Sequence, residues 1–333
     1  MNSVEQSFRP LGRTGLQVLP IGYGAWGVGK SMWGKTDDAE SLKSLLKALE
    51  LGCNFFDTAY VYGDGHSERL IAKAFEEYGS RAFVATKAPP KNFSWPSRGL
   101  LKDSFPADWL IYCTERSLRN LKTDCVEIQQ LHVWQDSWIE EPKWEKTLKA
   151  VQVLKKHGKI KFFGVSVNTR DPKSALQIVR SGVVDTVQVV FNLFEQEPLE
   201  ELFPLCREKN VGVIARVPLD EGGLSGTLSE NSKFDEDDFR SNYFAGGLLK
   251  ETVRRVKILE DYLVKDQKLA LSLPEAALKF CLSFPDVSVV IPGMRKIKHV
   301  ESNIALAHSK PFEKPILEKL RSHAWKRTES HGK

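Results

Sequence analysis

The stretch CVEIQQLHVWQDSWIEEPKWEKTLKAVQVLKKHGKIKFFGVSV, residues 125–167, indicates the fold class. It begins and ends with a short run typical of a strand, 125–132 and 161–167, and the segment 141–157 between them is predicted to be a helix that stops at Gly158. Strands of a parallel sheet are covered on both faces, so their side chains are mostly apolar rather than alternating with polar ones. The stretch therefore predicts a strand–helix–strand unit of a parallel sheet.

The same alternation continues along the chain. Six further strand-like runs lie at 16–24, 54–59, 83–87, 186–192, 211–218 and 287–293. Helices are predicted at 37–51, 106–121, 198–210 and 273–284, and another opens at Asp171-Pro172. Eight repeats of strand and helix predict either an open doubly wound sheet or a closed barrel.

The length of 333 residues fits two average domains or one barrel, which takes about 250 residues or more. No break in composition marks a domain boundary, so one domain is favoured. The connections 88–105 and 219–247 and the tail after 294 are longer than a compact domain needs, which is typical of functional loops or mobile segments. Partial mobility is expected at 222–242, and the basic end of the tail is expected to be solvated.

Charge and cysteine content exclude several function classes. Lys and Arg number 48 against 43 Asp and Glu, and this excess of +5 is not concentrated in one run, as it usually is in nucleic-acid-binding proteins. The five cysteines form no C-x-x-C pair, which argues against a disulfide framework or a metal site. No secretory leader and no run of about 18 apolar residues is present, so a cytoplasmic protein without a membrane span is predicted.

Titratable side chains lie at the ends of three consecutive predicted strands. Asp57 is near the end of the first, with Tyr62 on the loop beyond it; Lys87 ends the second and His132 the third. Barrel enzymes carry their catalytic groups at this carboxyl end of the strands. Any one of these residues alone is more readily explained as part of a structural ion pair or as a core histidine. Four at equivalent positions favour an active site.

These four residue types suit the reduction of a carbonyl group. The pKa of a phenol is about 10, too high for efficient proton donation at neutral pH. A lysine ammonium beside the Tyr62 oxygen would lower that pKa, and the Asp57 carboxylate would hold the ammonium in place. His132 could then hydrogen-bond the substrate oxygen, on which negative charge develops.

The sequence Gly22-Tyr-Gly24-Ala-Trp-Gly27 matches the dinucleotide-binding pattern G-x-G-x-x-G only literally. That pattern requires a helix to begin within it, and here no helical periodicity starts before about residue 37. A glycine-rich turn at the end of a strand, with the backbone close to a ligand or to Trp26, is the favoured interpretation.

With these motifs in place, the sequence resembles the aldo-keto reductase superfamily. The resemblance runs from about residue 8 to 307 and is carried by FRPLGRTGLQVLPIGYGAWG (8–27), FDTA at Asp57, ATK at Lys87 and QLH at His132. It implies a (β/α)8 TIM barrel with an N-terminal β-hairpin and long catalytic-face loops over 8–310, followed by a helical, basic tail over 311–333. It also implies that Asp57, Tyr62, Lys87 and His132 form a catalytic tetrad and that NADP(H) binds without a Rossmann fold.

The resemblance also implies which residues bind NADP(H). These are Gly24, Ala25, Trp26, Asp57, Ser166, Asn168, Gln188, Arg216, Val217, Pro218, Leu219, Gly222, Gly226, Gly293, Met294, Arg295, His299 and Asn303. Two positions depart from the family pattern. Val167 separates Ser166 from Asn168, and Arg216 stands where many members have an aromatic residue; it could stack on the nicotinamide or pair with an acid such as Asp220.

A 2′-phosphate requires a cation, and Arg295 is the first candidate, with Lys296 and Lys298 in reserve. NADPH is therefore predicted over NADH. The predicted substrate is a small carbonyl compound, without nucleic acid or membrane as partner, and the protein is predicted to be a monomer or weak oligomer. The candidate substrate contacts are Trp26, Trp33, Tyr62, Trp95, His132 and Trp134. The loop aromatics could equally be anchors packed on the rim of the barrel.

The predicted function is the reversible, NADPH-dependent reduction of an aldehyde or ketone, with Tyr62 as general acid. One alternative is a cofactor-binding regulatory subunit with slow or no turnover. The other is an aldolase that uses Lys87 as a Schiff base, in which Tyr62 and Asp57 have no evident part.

Overall fold

Eight parallel strands form a barrel in the part of the chain that the structure describes. The structure is a computed structural model, and it describes residues 8–30, 33, 36–96 and 99–327. A two-stranded antiparallel hairpin comes first, β1 (Arg9–Pro10) and β2 (Gln17–Val18). The barrel strands are β3 (Tyr23–Gly24), β4 (Phe55–Asp57), β5 (Phe83–Ala88), β6 (Val126–Leu131), β7 (Ile160–Ser166), β8 (Thr186–Val190), β9 (Gly212–Arg216) and β10 (Val287–Val290), which pair in sequence order.

Helices surround these strands. They are α1 (Asp38–Glu50), α2 (His66–Tyr78), α3 (Leu101–Ser104), α4 (Ala107–Asn120), α5 (Trp144–Lys156), α6 (Leu176–Arg180), α7 (Leu202–Glu208), α8 (Arg240–Tyr243), α9 (Leu248–Glu260), α10 (Leu273–Leu282), α11 (Ile297–Ala305) and α12 (Lys314–Arg321). Within the described ranges, every helix is too short or too polar to cross a bilayer.

Parallel bridges between the first and last barrel strands close the sheet. Ile21 bridges Val290, and Gly24 bridges Gly293. The Gly24 amide donates to Pro292 O at 3.0 Å, and the Val290 amide donates to the carbonyl of Pro20 at 2.8 Å. Of the two architectures that the strand count allowed, the structure is thus the closed barrel, and the predicted fold class is confirmed.

The hairpin closes the amino end of the barrel. Leu11 and Val18 are fully buried in one cluster with barrel-interior side chains such as Phe55 and Ile128. Gly12 is required at the tip, because its φ is +52° and an added Cβ would lie 2.2 Å from the amide nitrogen of Gly212. The hairpin is therefore part of the core rather than an appendage.

Strand parity explains why polar groups gather at the other end. Alternate side chains of a strand point to opposite faces. Phe55 and Ala85 belong to the interior cluster, so Asp57 and Lys87, two residues further along the same strands, also point inward. Each then reaches the barrel axis at the carboxyl end of its strand.

Two sequence predictions need correction. The run 16–24 is not one strand; it divides into β2, in the hairpin, and β3, in the barrel, because Pro20 between them has no N–H to continue a ladder. The tail is also less solvated than expected, since Arg327 is only 4% exposed. In addition, helices α2 and α9 were not predicted from the sequence.

Candidate active site

Lys87 and Asp57 form a buried ion pair at the ends of two adjacent strands. The Lys87 side chain is fully buried, and its Nζ lies 2.6 Å from Asp57 Oδ1. It also donates to the backbone carbonyl of Thr58 at 2.7 Å. Burial lowers the pKa of Lys87, and the Asp57 carboxylate opposes that change. The pair thus holds the Lys87 amine inside the barrel, next to a carboxylate.

The second oxygen of Asp57 is held from across the barrel. Gln188, at the end of β8, donates from Nε2 to Asp57 Oδ2 at 2.6 Å. Both oxygens of the carboxylate therefore have partners, and its orientation is fixed. Sequence reasoning assigned Gln188 to a cofactor amide; in the structure its amide nitrogen is bound to Asp57, which leaves its carbonyl end for a ligand.

Tyr62 and His132 lie above this pair. The Tyr62 hydroxyl is 3.5 Å from His132 Nε2, which is long for a hydrogen bond. Lys87 Nζ lies 5.2 Å from the centroid of the Tyr62 ring. The structure thus brings all four predicted tetrad residues together, Asp57, Tyr62, Lys87 and His132.

The electrostatics of Tyr62 differ from the sequence expectation. Burial and the Asp57 carboxylate raise the pKa of the Tyr62 phenol well above its ordinary value, and the cation that opposes this is Arg216. Lys87 was expected to lower that pKa, but its ammonium is bound to Asp57 and Thr58. Catalytic hydrogen bonds are often long before substrate binds, so this geometry does not exclude Tyr62 as an acid.

His132 is neutral at neutral pH. Burial, with smaller effects from the positive charges of Lys87 and Arg216, lowers its pKa well below the usual value. Its Nε2 faces Tyr62, whereas its buried Nδ1 has no hydrogen-bond partner among the residues that the structure describes. A neutral imidazole can donate one hydrogen bond to a substrate oxygen without adding charge to the site.

Arg216, at the end of β9, is a further charged side chain close to the tetrad. Its Nη2 donates to Val167 O at 3.0 Å and to Thr169 Oγ1 at 3.3 Å, while its buried Nε has no hydrogen-bond partner within the described part of the chain. The pairing with Asp220 that the sequence left open is not formed. Arg216 instead lies near the tetrad, where its charge acts on both Tyr62 and His132.

Comparison with known proteins places this geometry in a family. The model of the Aldo/keto reductase family matches residues 20–324. The chain belongs to that family. The resemblance seen in the sequence is therefore confirmed, and members of this family use a nicotinamide cofactor to interconvert carbonyl compounds and alcohols.

Relatives of this aldo/keto reductase include proteins named as enzymes and one named as a probable subunit of a potassium channel. It is 31% identical to the aldo-keto reductase YhdN of Bacillus subtilis over 87% of this chain and 85% of that one. It is 28% identical to a probable voltage-gated potassium channel subunit beta of Oryza sativa, covering 97% of this chain and 99% of that one. The glycerol dehydrogenase AKR11B4 of Gluconobacter oxydans has a similar structure, with a TM-score of 0.76 and 26% identity over 98% of both chains.

In this aldo/keto reductase, the segment after β9 is a tight turn with several left-handed residues. Val217, Asp220, Glu221, Gly222 and Gly226 have φ between +52° and +94°. Turns that contain left-handed residues can gather neighbouring N–H groups into a concave nest for phosphate oxygens. Here the amides of Asp220, Gly222 and Leu224 already donate to the carbonyls of Val217 and Leu219. Cβ atoms added at Gly222 and Gly226 would meet nothing closer than 3.9 Å and 4.0 Å, so anionic oxygens have room to approach the backbone. The residues present therefore fit a pyrophosphate at 217–226, the segment that also contains the predicted Pro218 and Leu219.

The remaining predicted cofactor positions line the same end of the barrel. Gly293 is exposed, and a Cβ added there would meet nothing within 4 Å. Arg295 is half-buried and bonds Trp33 O at 3.4 Å. Met294 is fully buried, backbone and side chain alike. Ser166, Asn168 and Asn303 are buried, His299 is exposed, and Gly24, Ala25 and Trp26 lie beside β4.

Aromatic rings surround the mouth of the site. Trp26 contacts Trp33 at a centroid distance of 5.4 Å and Tyr62 at 6.1 Å, and Trp95 lies 5.8 Å from His132. The ring of Phe239, from the long connection after β9, also lies 5.4 Å from Trp26. These rings give the mouth an apolar lining next to the tetrad.

Trp134 does not belong to this lining, and its prediction as a substrate contact is wrong. Its side chain is fully buried, and its indole N–H donates to Asp136 Oδ1 at 2.9 Å. Its ring packs against Trp138 and Trp144 in the layer between strands and helices. Trp134 follows His132 by two residues, and this part of the chain already lies beyond the end of β6.

Sequence reasoning missed Thr58 and Phe239. Thr58 acts through its backbone carbonyl, which carries no residue-specific signal. Phe239 lies in a long connection without periodicity, where nothing local indicates which ring turns toward Trp26.

Proposed function

We propose that this aldo/keto reductase catalyses the reversible, NADPH-dependent reduction of an aldehyde or ketone to an alcohol. The observation that carries the proposal is the buried Lys87–Asp57 ion pair, fixed by Gln188, directly beneath Tyr62 and His132. A core has no structural need for a buried charged pair, which is costly to desolvate, and such groups cluster at functional sites.

Each residue has one part in the proposed reaction. The bound cofactor supplies hydride from its nicotinamide ring. The Tyr62 hydroxyl donates the proton to the carbonyl oxygen, and His132 orients that oxygen. The positive charge of Arg216, which opposes the rise in the Tyr62 pKa, stabilises the phenolate left on Tyr62, and Asp57 holds Lys87 in place.

The test is NADPH absorbance with a panel of small aldehydes and ketones. Replacing Tyr62→Phe removes only the hydroxyl and is expected to lower kcat about a hundredfold or more, as for loss of a general acid, with the Kd for NADPH little changed. Tyr60→Phe is the matched control, a buried tyrosine two residues earlier, and should retain activity. If Tyr62→Phe keeps about a tenth or more of the wild-type kcat, Tyr62 is not the acid, because loss of a general acid lowers kcat by more than that.

NADPH is proposed over NADH because cations cluster in the segment that the family resemblance assigns to the adenosine end of the cofactor. Arg295 is half-buried beside exposed Lys296 and Lys298. Arg295→Ala should raise the KM for NADPH about tenfold while leaving the KM for NADH nearly unchanged, since only NADPH carries the 2′-phosphate. Lys310→Ala, an exposed lysine outside this segment, is the control. Equal effects on both cofactors would contradict the preference.

A regulatory subunit is the second candidate, because the rice relative that spans nearly the whole chain is named a probable potassium channel subunit beta. Turnover distinguishes the two. Many NADPH oxidised per protein molecule supports the reductase, whereas a single equivalent followed by tightly retained oxidised cofactor supports the subunit.

A further inference from the structure

The segment after α12 packs onto the barrel instead of leaving it. The Trp325 amide donates to Phe194 O at 2.8 Å, and the two rings lie 5.7 Å apart. Two residues later, the Arg327 guanidinium lies 4.5 Å from the Trp325 ring and 5.4 Å from that of Phe194. The cationic group of the tail is therefore stacked between aromatic side chains inside the protein.

Arg327 forms a buried ion pair with the segment after β9. Its Nη2 lies 2.6 Å from Asp220 Oδ1, and both side chains are fully buried. Tyr243 joins them: its hydroxyl donates to Asp220 Oδ1 at 2.7 Å and accepts from Arg327 Nη1 at 2.9 Å. Three segments distant in sequence thus meet at one carboxylate.

This carboxylate lies inside the proposed pyrophosphate nest. Asp220 and Glu221 are consecutive, both are buried and both have φ of +52°. The Asp220 side chain packs against the nest itself, because a Cβ added at Gly223 would lie 2.3 Å from its Oδ2. Two acidic side chains therefore stand where an anion is proposed to bind, and like charges repel strongly at short range in a buried site.

Cations lie near the acidic side chains of this cluster. Arg170 pairs with Glu195 at 3.3 Å, and Arg216 acts on Glu221. Arg327 is the partner of Asp220. Without it, a buried negative charge would remain next to the nest.

We propose that Arg327 is a positioning residue for cofactor binding: by neutralising Asp220 it keeps the nest at 217–226 free of net negative charge, so that the pyrophosphate of the dinucleotide can bind. The inference rests on the proposed function, because it takes this segment as the pyrophosphate site. The rival explanation is a clamp, in which Arg327 only holds the tail against the segment 217–226 and its charge has no effect on the cofactor. Variants that change the charge of Arg327 or Asp220 distinguish the two explanations.

The experiment is a fluorescence titration of NADPH into the full-length protein and its variants. Arg327→Met leaves Asp220 unpaired and should raise the Kd about tenfold, within the usual range for coupling between sites, with kcat at saturating NADPH unchanged. Asp220→Asn keeps an acceptor for Tyr243 but removes the negative charge, so it should bind NADPH at least as tightly as the wild type. The double variant should bind close to the wild type. Arg327→Lys should largely preserve affinity, and Lys326→Met, the exposed neighbouring cation, is the matched control.

The outcomes separate the possibilities. A clamp predicts that Asp220→Asn weakens binding as much as Arg327→Met, and that result would overturn the inference. An unchanged Kd for NADPH in Arg327→Met would also overturn the inference, provided that NADPH binds the wild type. Failure of the wild type to bind NADPH would overturn the proposed function as well. If Arg327→Met does not fold by circular dichroism, the double variant decides: affinity near the wild type supports neutralisation, and a large loss contradicts it.

Discussion

Burial lowers the pKa of Lys87, and its neighbours oppose that change. Its ammonium has Asp57 Oδ1 at 2.6 Å and the Thr58 carbonyl at 2.7 Å, and it faces the Tyr62 ring. An isolated buried amine would instead lose its proton. Glu221 is the opposite case: burial raises its pKa to about 7, and Arg216 opposes that change only in part. Burial thus lowers the pKa of the amine and raises that of the carboxyl, which titrates near neutral pH.

The titration of Glu221 predicts that cofactor affinity depends on pH. Above its pKa of about 7 the side chain is negative, and below it the side chain is neutral. NADPH binding should therefore weaken as the pH rises through that value, because the new charge repels the pyrophosphate. Titrations across this range in wild type and Glu221→Gln test it. The ligand's own phosphate titrates equally in both, so equal pH profiles would contradict the prediction.

The seam of the barrel, where β3 meets the chain after β10, leaves very little space. An added Cβ at Gly24 would lie 2.6 Å from Ile291 O and 3.0 Å from Pro292 O, both backbone atoms that cannot rotate away. Its bridge partner Gly293 has open space instead. Glycine at 24 therefore follows from strand closure, whereas glycine at 293 is free of that constraint.

These two glycines form a matched pair for a stability measurement. Gly24→Ala should lower the free energy of unfolding by about 1–3 kcal/mol, as overpacking usually does. Gly293→Ala should change it by about 0.5 kcal/mol or less, as expected for a change without a clash. Urea denaturation measures both. Equal losses would show that the seam can relax around a methyl group.

The two ends of the molecule have separate tasks. The hairpin closes the amino end with apolar side chains, among them Leu11 and Val18. The carboxyl end gathers the charged groups Asp57, Lys87 and Arg216. In barrels of this kind, the amino end contributes stability and the carboxyl end carries the chemistry.

This separation predicts that stability and catalysis can be changed independently. Leu11→Ala should lower the free energy of unfolding by about 2–5 kcal/mol, because it leaves a cavity in the interior cluster. At a temperature where the variant is folded, kcat should match the wild type. Leu271→Ala, at a side chain that is 90% exposed, is the control. A parallel fall in kcat would show that the hairpin also shapes the active site.

Much of this was readable from the sequence. The number of strand-like runs and the positions of Asp57, Tyr62, Lys87 and His132 follow from local patterns, because strand periodicity and strand ends are properties of neighbouring residues. Those patterns left an open sheet and a closed barrel as alternatives, and the family resemblance favoured the barrel. The interruption of the strand at Pro20 is also a local feature, but the residues on both sides of Pro20 are apolar and therefore predict one continuous strand.

Other features depend on contacts between distant residues. Trp134 and Trp95 look alike in the sequence, yet one is fully buried and the other 45% exposed. Arg327 reads as part of a solvated basic tail until it meets Asp220, 107 residues earlier along the chain. The sequence by itself determined the alternation that makes a barrel and the side chains at its strand ends. Only the tertiary structure decided which charges are buried and paired, because burial and pairing depend on segments that the fold alone brings together.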